Sequence, residues 1–147
     1  MKTADAHNAP LVGKIEVDPT PKMRMMVDRT LAEIKQRDGM GMNEYQRLAE
    51  VTVVYKPELK VIYPTIGLCG ETGEVAEKVK KWLRDDGGQM TDERRELLKK
   101  ELGDVMWYLA VLAKDLGLTL DEIARHNIEK LLDRKERGVV HGKGDIR

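Results

Sequence analysis

Apolar residues recur along this chain at the three-and-four spacing of helices, not at the alternation of strands. Met23, Met26, Val27, Leu31 and Ile34 predict a helix over 23–37, broken by Asp38-Gly39-Met40-Gly41. Tyr45, Leu48, Ala49, Thr52 and Val53 share one face of a second helix, 42–56, with Asn43 as its N-cap and Pro57 as its stop. The run Val51-Thr52-Val53-Val54 works against that helix, because β-branched side chains crowd the preceding turn. A connection over 59–64 leads to a third helix, from Pro64 or Thr65 to Leu83, with proline tolerated in its first turn. Its stripe is Ile66, Cys69, Gly73, Ala76 and Val79, widened by Leu68, Val75, Trp82 and Leu83. After a polar loop at 85–89, Thr91 or Asp92 caps a fourth helix reaching about Leu116, whose apolar face is Leu98, Leu102, Val105, Met106, Leu109, Leu112 and Ala113. Thr119 and Glu122 form a capping box for a fifth helix over 120–137, which Gly138 ends. The pattern predicts an all-α fold, a four- to five-helix bundle. Residues 1–21, with Pro10, Pro19 and Pro21, are expected to form a flexible N-terminal arm. The remainder, 22–147, reads as a single domain with its core at 42–137 and a glycine-interrupted tail at 138–147.

Two stretches interrupt the ordinary amphipathic logic. Glu71-Thr-Gly-Glu74 and Glu101-Leu-Gly-Asp104 each set two carboxylates at i and i+3, roughly 60° apart around a helix and about 4.5 Å apart along it. Like charges one turn apart repel, and folding alone would favour a lysine or arginine in one place of each pair. Two such helices packed together gather four carboxylates, a set that hard divalent cations stabilise through oxygen ligation. Gly67, Gly70 and Gly73 flank the first pair and each disfavours the helix by roughly 1 kcal/mol against alanine, which suggests close approach of another helix or a ligand.

Composition narrows the classes further. The 147 residues carry 26 basic and 26 acidic side chains, so no net field recruits nucleic acid or an anionic membrane. No apolar run is long enough to span a bilayer or to act as a signal sequence. The one cysteine, Cys69, cannot pair internally and reads as a small core residue, while no Cys/His set has zinc spacing. The residue three before His126 is Ile123, so the Glu-x-x-His of di-iron bundles is missing. A soluble, cytoplasmic protein is expected.

The run Gly67-Leu-Cys-Gly-Glu71-Thr-Gly-Glu74-Val-Ala-Glu77, followed by Glu101-Leu-Gly-Asp104-Val-Met-Trp107-Tyr108, resembles the MazG-type nucleotide pyrophosphohydrolases of the all-α NTP pyrophosphatase superfamily. That family carries an ExxE and then an ExxD motif on antiparallel helices, and the 26 residues between Glu74 and Glu101 (75–100) suit its spacing. Asn127-Ile-Glu-Lys130-Leu resembles its C-terminal N-x-x-K-L pattern. The resemblance covers 42–147. It implies Mg²⁺-dependent hydrolysis, with Mn²⁺ able to substitute, of a nucleoside triphosphate to monophosphate and pyrophosphate. It further implies that Glu71, Glu74, Glu101 and Asp104 are the metal ligands and catalytic residues, and that the chain forms a homodimer or homotetramer. The nucleophile would be a water activated by the metal and directed at the α-phosphorus, with Glu74 one candidate to take its proton.

Lys78, Lys81, Lys130 and Arg134 are candidate phosphate contacts; a solvated helix face accounts equally well for Lys130 and Arg134 and better for Lys78 and Lys81. Asn127, a poor helix former, is a candidate to bond a phosphate or orient a carboxylate. Trp82, Trp107 and Tyr108 could stack on a base, against the simpler reading of each as core. Lys143 and Arg147 could reach the nucleotide from the tail. Neither base nor sugar is legible; a purine deoxynucleotide such as dGTP is one candidate. The alternatives are a guanosine alarmone or a nucleoside diphosphate as substrate, or a non-catalytic helical interaction module with solvated acidic pairs.

Overall fold

The computed structural model describes residues 20–35 and 39–138. All but the last residues of the expected N-terminal arm, and the tail from 139 onward with Lys143 and Arg147, lie outside them. Five α-helices follow one another: α1 (Pro21–Lys35), α2 (Met42–Val51), α3 (Ile62–Asp85), α4 (Asp92–Asp115) and α5 (Leu120–Glu136), with a 3-10 turn at Pro57–Leu59. Among the described residues there is no strand, and the architecture is all-α.

The chain divides after Gly39 into two units. In the first, α1 is amphipathic in sequence, yet Met25, Met26, Val27 and Leu31 are all exposed. In the second, two 24-residue helices, α3 and α4, form the longest packing interface. Their contacts run in opposite directions along the chain, Gly67 meeting Tyr108 and Lys78 meeting Glu101, so the pair is an antiparallel hairpin closed by the loop at 86–91. Helix α2 packs on α4, and α5 packs on α2. The core lies where these meet: Ala49, Ala110, Val111, Ala113 and Leu120 are buried, ringed by Tyr45, Val53, Tyr55, Trp107 and Ile123.

Polar clamps hold this small core. Gln46, itself buried, donates from Nε2 to the carbonyls of Ala110 (3.2 Å) and Leu118 (2.9 Å) and accepts the Leu120 N–H at 3.1 Å. One side chain thus joins α2 to the end of α4 and the start of α5. Asn43 does not cap its own helix: Gly41 occupies that position without a side-chain bond, and Asn43 Oδ1 accepts the Asp121 N–H at the start of α5 instead. Helix α2 ends at Val51, short of the expected residue 56. There the β-branched run begins, Thr52 turns its hydroxyl onto the Ala49 carbonyl, and Trp107 Nε1 donates to Thr52 Oγ1.

Helix α3 starts earlier than expected, at Ile62, so Pro64 sits in its third position and is buried. Val61 precedes it at φ 65°, in a region that β-branched residues avoid. Asp115 Oδ2 accepts both the Val61 N–H and the Tyr55 hydroxyl at 2.9 Å, which ties this strained turn to the end of α4. The expected caps of α4 and α5 are present: Thr91 accepts from Arg94 N–H, and Thr119 and Glu122 form the capping box.

Most of the stripe expected to bury α3 faces outward: Ile66, Cys69, Gly73 and Ala76 are exposed, as is Leu83, while Val79 and the flanking Leu68, Val75 and Trp82 are half-buried together with Gly67, Glu71, Glu77, Lys78 and Lys81. Cys69 is therefore a surface residue and not the core residue expected. On α4, Leu102, Met106 and Leu109 of the expected inward face are likewise exposed. The α3–α4 contact passes through the acidic side of each helix, which turns these apolar stripes away from it.

Candidate metal centre

What brings the acidic pairs together is the closeness of α3 to α4 one turn away. A methyl group at Gly67 would stand 2.0 Å from Cε1 of Tyr108, so only glycine admits that ring against the helix backbone. Gly67 is four residues before Glu71, and Tyr108 four after Asp104, so this contact sets the helix separation at the level of the carboxylates. Tyr108 is held in turn by Trp107, edge-on at 4.8 Å, and by Tyr63 at 6.4 Å.

Glu71, Glu101 and Asp104 converge: one carboxylate oxygen from each lies within 4.8 Å of the others. Glu71 and Glu101 are half-buried and Asp104 is exposed. Glu74 stands outside this group, exposed on the next turn of α3, though its charge is felt there. Burial first, and then the charges of Asp104, Glu101 and Glu74, push the Glu71 carboxyl above its ordinary pKa. Such a set is repulsive by itself. Lys78 offsets part of the repulsion, reaching Glu101 at 3.2 Å with both side chains largely covered. All the charges that raise Glu71 come from α3 and α4.

The remaining candidates are dispersed. Lys81 pairs with Glu77 at 3.2 Å, and Lys80 pairs with the same carboxylate. Trp82 is half-buried, and its indole N–H, closed off from solvent, has no hydrogen-bond partner among the described residues. Trp107 and Tyr108 are half-buried packing elements. Asn127 is exposed and Lys130 and Arg134 are half-buried on α5, which packs on α2. His126 is exposed. A separate cleft of about 320 Å³, lined by Glu50, Tyr55, Lys60, Lys114 and Asp115 among others, contains none of the acidic quartet. Within it Lys114 pairs with Glu50 at 3.1 Å and Asp115 accepts the Tyr55 hydroxyl. Of the close approaches expected at Gly67, Gly70 and Gly73, that at Gly67 is present, with Tyr108, while a methyl group at Gly70 or Gly73 meets nothing within 4 Å. Tyr108 as the partner and the Asp115 clamp are what sequence reasoning missed. Their positions one turn from Glu71 and Asp104, and at the start of α3, were the available signals.

The model of the MazG nucleotide pyrophosphohydrolase domain matches residues 65–139, just over half of the chain, including both acidic pairs. The chain belongs to the MazG family. The "Gene 37 protein" of Mycobacterium phage L5 is 54% identical over 85 residues, a span covering 58% of this chain and 75% of that protein. No solved structure matches. Within this MazG domain the three converging carboxylates offer only hard oxygen donors, a set that fits a divalent cation such as Mg²⁺ or Mn²⁺ and not a soft metal. Among the described residues no helix is long and apolar enough to cross a membrane.

Proposed function

We propose that this chain hydrolyses a nucleoside triphosphate to the monophosphate and pyrophosphate, with Mg²⁺ as cofactor and Mn²⁺ able to replace it. The observation that carries the reading is the convergence of Glu71, Glu101 and Asp104 in a domain of the MazG nucleotide pyrophosphohydrolase family. These three, with Glu74 beside them, would hold the cation. Bound there, it supplies neutralisation of phosphate charge and lowers the pKa of water.

The chain's own residues do the rest. Glu74, exposed and outside the tight group, accepts the proton of the attacking water. Water oxygen bonds to the α-phosphorus, the bond to the bridging oxygen breaks, and pyrophosphate leaves with that electron pair. Lys78 and Lys81, two and three turns beyond Glu71, lie on the side to which a released pyrophosphate could be drawn once their present partners yield. Asn127, Lys130 and Arg134 are retained as phosphate contacts, and Trp82 as a neighbour of the substrate. A purine deoxynucleotide such as dGTP is the first substrate to try. The working form is a soluble, cytoplasmic homodimer or homotetramer.

Turnover of each standard NTP and dNTP with Mg²⁺ or Mn²⁺, with products resolved by chromatography, tests the reading. Monophosphate with pyrophosphate is expected, and loss of turnover in Glu71→Gln and Asp104→Asn with the fold retained. Diphosphate with orthophosphate would overturn attack at the α-phosphorus. A melting temperature unmoved by either metal, together with no turnover, would overturn the metal site itself.

A further inference from the structure

The partner of Lys78 is not the one its own helix offers. Lys78 follows Glu71 and Glu74 on one face of α3, and a glutamate four residues before a lysine is the favourable order for an ion pair along a helix. The side chain passes Glu74 by. Its ammonium crosses to α4 and stands 3.2 Å from Glu101 Oε1, where the lysine side chain is 22% exposed and the glutamate 17%. Among the described residues no other cation pairs with Glu71, Glu74, Glu101 or Asp104, and the neighbouring Lys80 and Lys81 are both engaged by Glu77. Glu101 is also one of the three acids whose oxygens converge within 4.8 Å. A single carboxylate therefore serves both a covered ion pair and the candidate metal centre. Two cations drawing on one carboxylate repel each other, and away from water that repulsion is weakly screened. Nor can the carboxylate stand bare, because a covered charge needs a counter-charge.

We propose that Lys78 is a tethered counter-ion that competes with the divalent cation for Glu101: the ammonium holds Glu101 in the metal-free chain and gives it up as the cation binds. Lysine suits such an exchange, being a compact charge on a flexible four-carbon stem that water solvates strongly once it is free. An arginine fork would grip both carboxylate oxygens and yield less readily. The exchange keeps positive charge between α3 and α4 throughout, so the two acidic faces stay together without metal, and it weakens the cation's hold in return. This inference rests on the metal centre of the proposed function and adds how that centre is held together in the cation's absence.

Urea unfolding of the full chain at Mn²⁺ concentrations from zero to saturation, with direct titration of Mn²⁺ binding, tests it. Lys78→Met keeps most of the stem and removes the charge. Without Mn²⁺ it is expected to be less stable than the parent, and at saturation to match it. It should bind Mn²⁺ about 10-fold more tightly or better, since the stability regained and the affinity gained belong to one thermodynamic cycle. A Lys78→Met chain that folds only when Mn²⁺ is added would be the extreme form of that result. Lys78→Arg, which keeps the charge, is expected to fold as the parent does and to bind Mn²⁺ more weakly. A Lys78→Met deficit that persists at saturating Mn²⁺ would show that the ion pair survives metal binding, and would overturn the proposal. So would Mn²⁺ affinity in Lys78→Met no higher than the parent's, or tighter binding in Lys78→Arg. These outcomes leave the metal centre standing, whereas a parent chain that binds no Mn²⁺ would overturn that centre and this inference together.

Discussion

Replacing Gly67 by alanine puts a methyl carbon 2.0 Å from Cε1, 2.4 Å from Cζ and 2.5 Å from Cδ1 of Tyr108. Ordinary carbon contacts are about 3.5–4.0 Å, so the ring or the helix must retreat by about 1.5 Å. The ring has little freedom, with Trp107 edge-on at 4.8 Å and Tyr63 at 6.4 Å, so α3 and α4 should part instead. Overpacking of this kind costs about 1–3 kcal/mol, against about 1 kcal/mol gained from alanine's helix propensity. A net loss of up to about 2 kcal/mol is expected. Gly70→Ala is the control, since its added methyl meets nothing within 4 Å, and it should gain about 0.5–1 kcal/mol. The same chemical change three residues apart should therefore have opposite signs, read by urea denaturation. Parting the helices also widens the carboxylate group, whose oxygens now lie within 4.8 Å. Stabilisation by saturating Mn²⁺ should accordingly shrink in Gly67→Ala by about 1.4 kcal/mol per tenfold loss of affinity. Trimming the ring with Tyr108→Ala should remove most of the penalty of Gly67→Ala in a double-mutant cycle. A Gly67→Ala protein as stable as Gly70→Ala, with undiminished response to Mn²⁺, would refute the view that this contact sets the helix separation.

Gln46→Leu keeps the volume of a buried side chain but removes its bonds to Ala110, Leu118 and Leu120. It should cost about 2–4 kcal/mol in chemical denaturation, and a loss under 1 kcal/mol would show that the clamp is not needed. Bonds from the Thr119 hydroxyl and N–H hold the Glu122 carboxyl below its ordinary pKa, so its contribution is present above about pH 4.5 and is lost as pH falls through the lowered value. Thr119→Ala should cost about 1 kcal/mol at neutral pH and also flatten this part of the acid denaturation curve; an unchanged acid limb would contradict the linkage.

Much of this protein was determined locally and could be read without coordinates. The caps at Thr91 and Thr119, the stop at Gly138 and the helical periods of α3, α4 and α5 depend on residues within a turn or two of one another. So do the acidic pairs, because the i, i+3 spacing becomes geometry as soon as the segment is a helix. What periodicity does not contain is which side of a helix meets which neighbour. Helix α3 carries both an acidic face and an apolar one, and hydrophobicity alone favours burying Ile66 and Cys69. The tertiary structure turns Glu71 and Lys78 toward α4 instead, because Gly67 admits Tyr108 there, a contact between residues 41 positions apart. The same long-range packing draws Asn43 from its own helix to cap α5 and seats α5, with Asn127, Lys130 and Arg134, on α2. It also leaves Glu74 outside the three carboxylates that converge. A sequence states its local hydrogen bonds and periods directly, whereas the choice among possible packing faces is made by the fit of side chains distant along the chain.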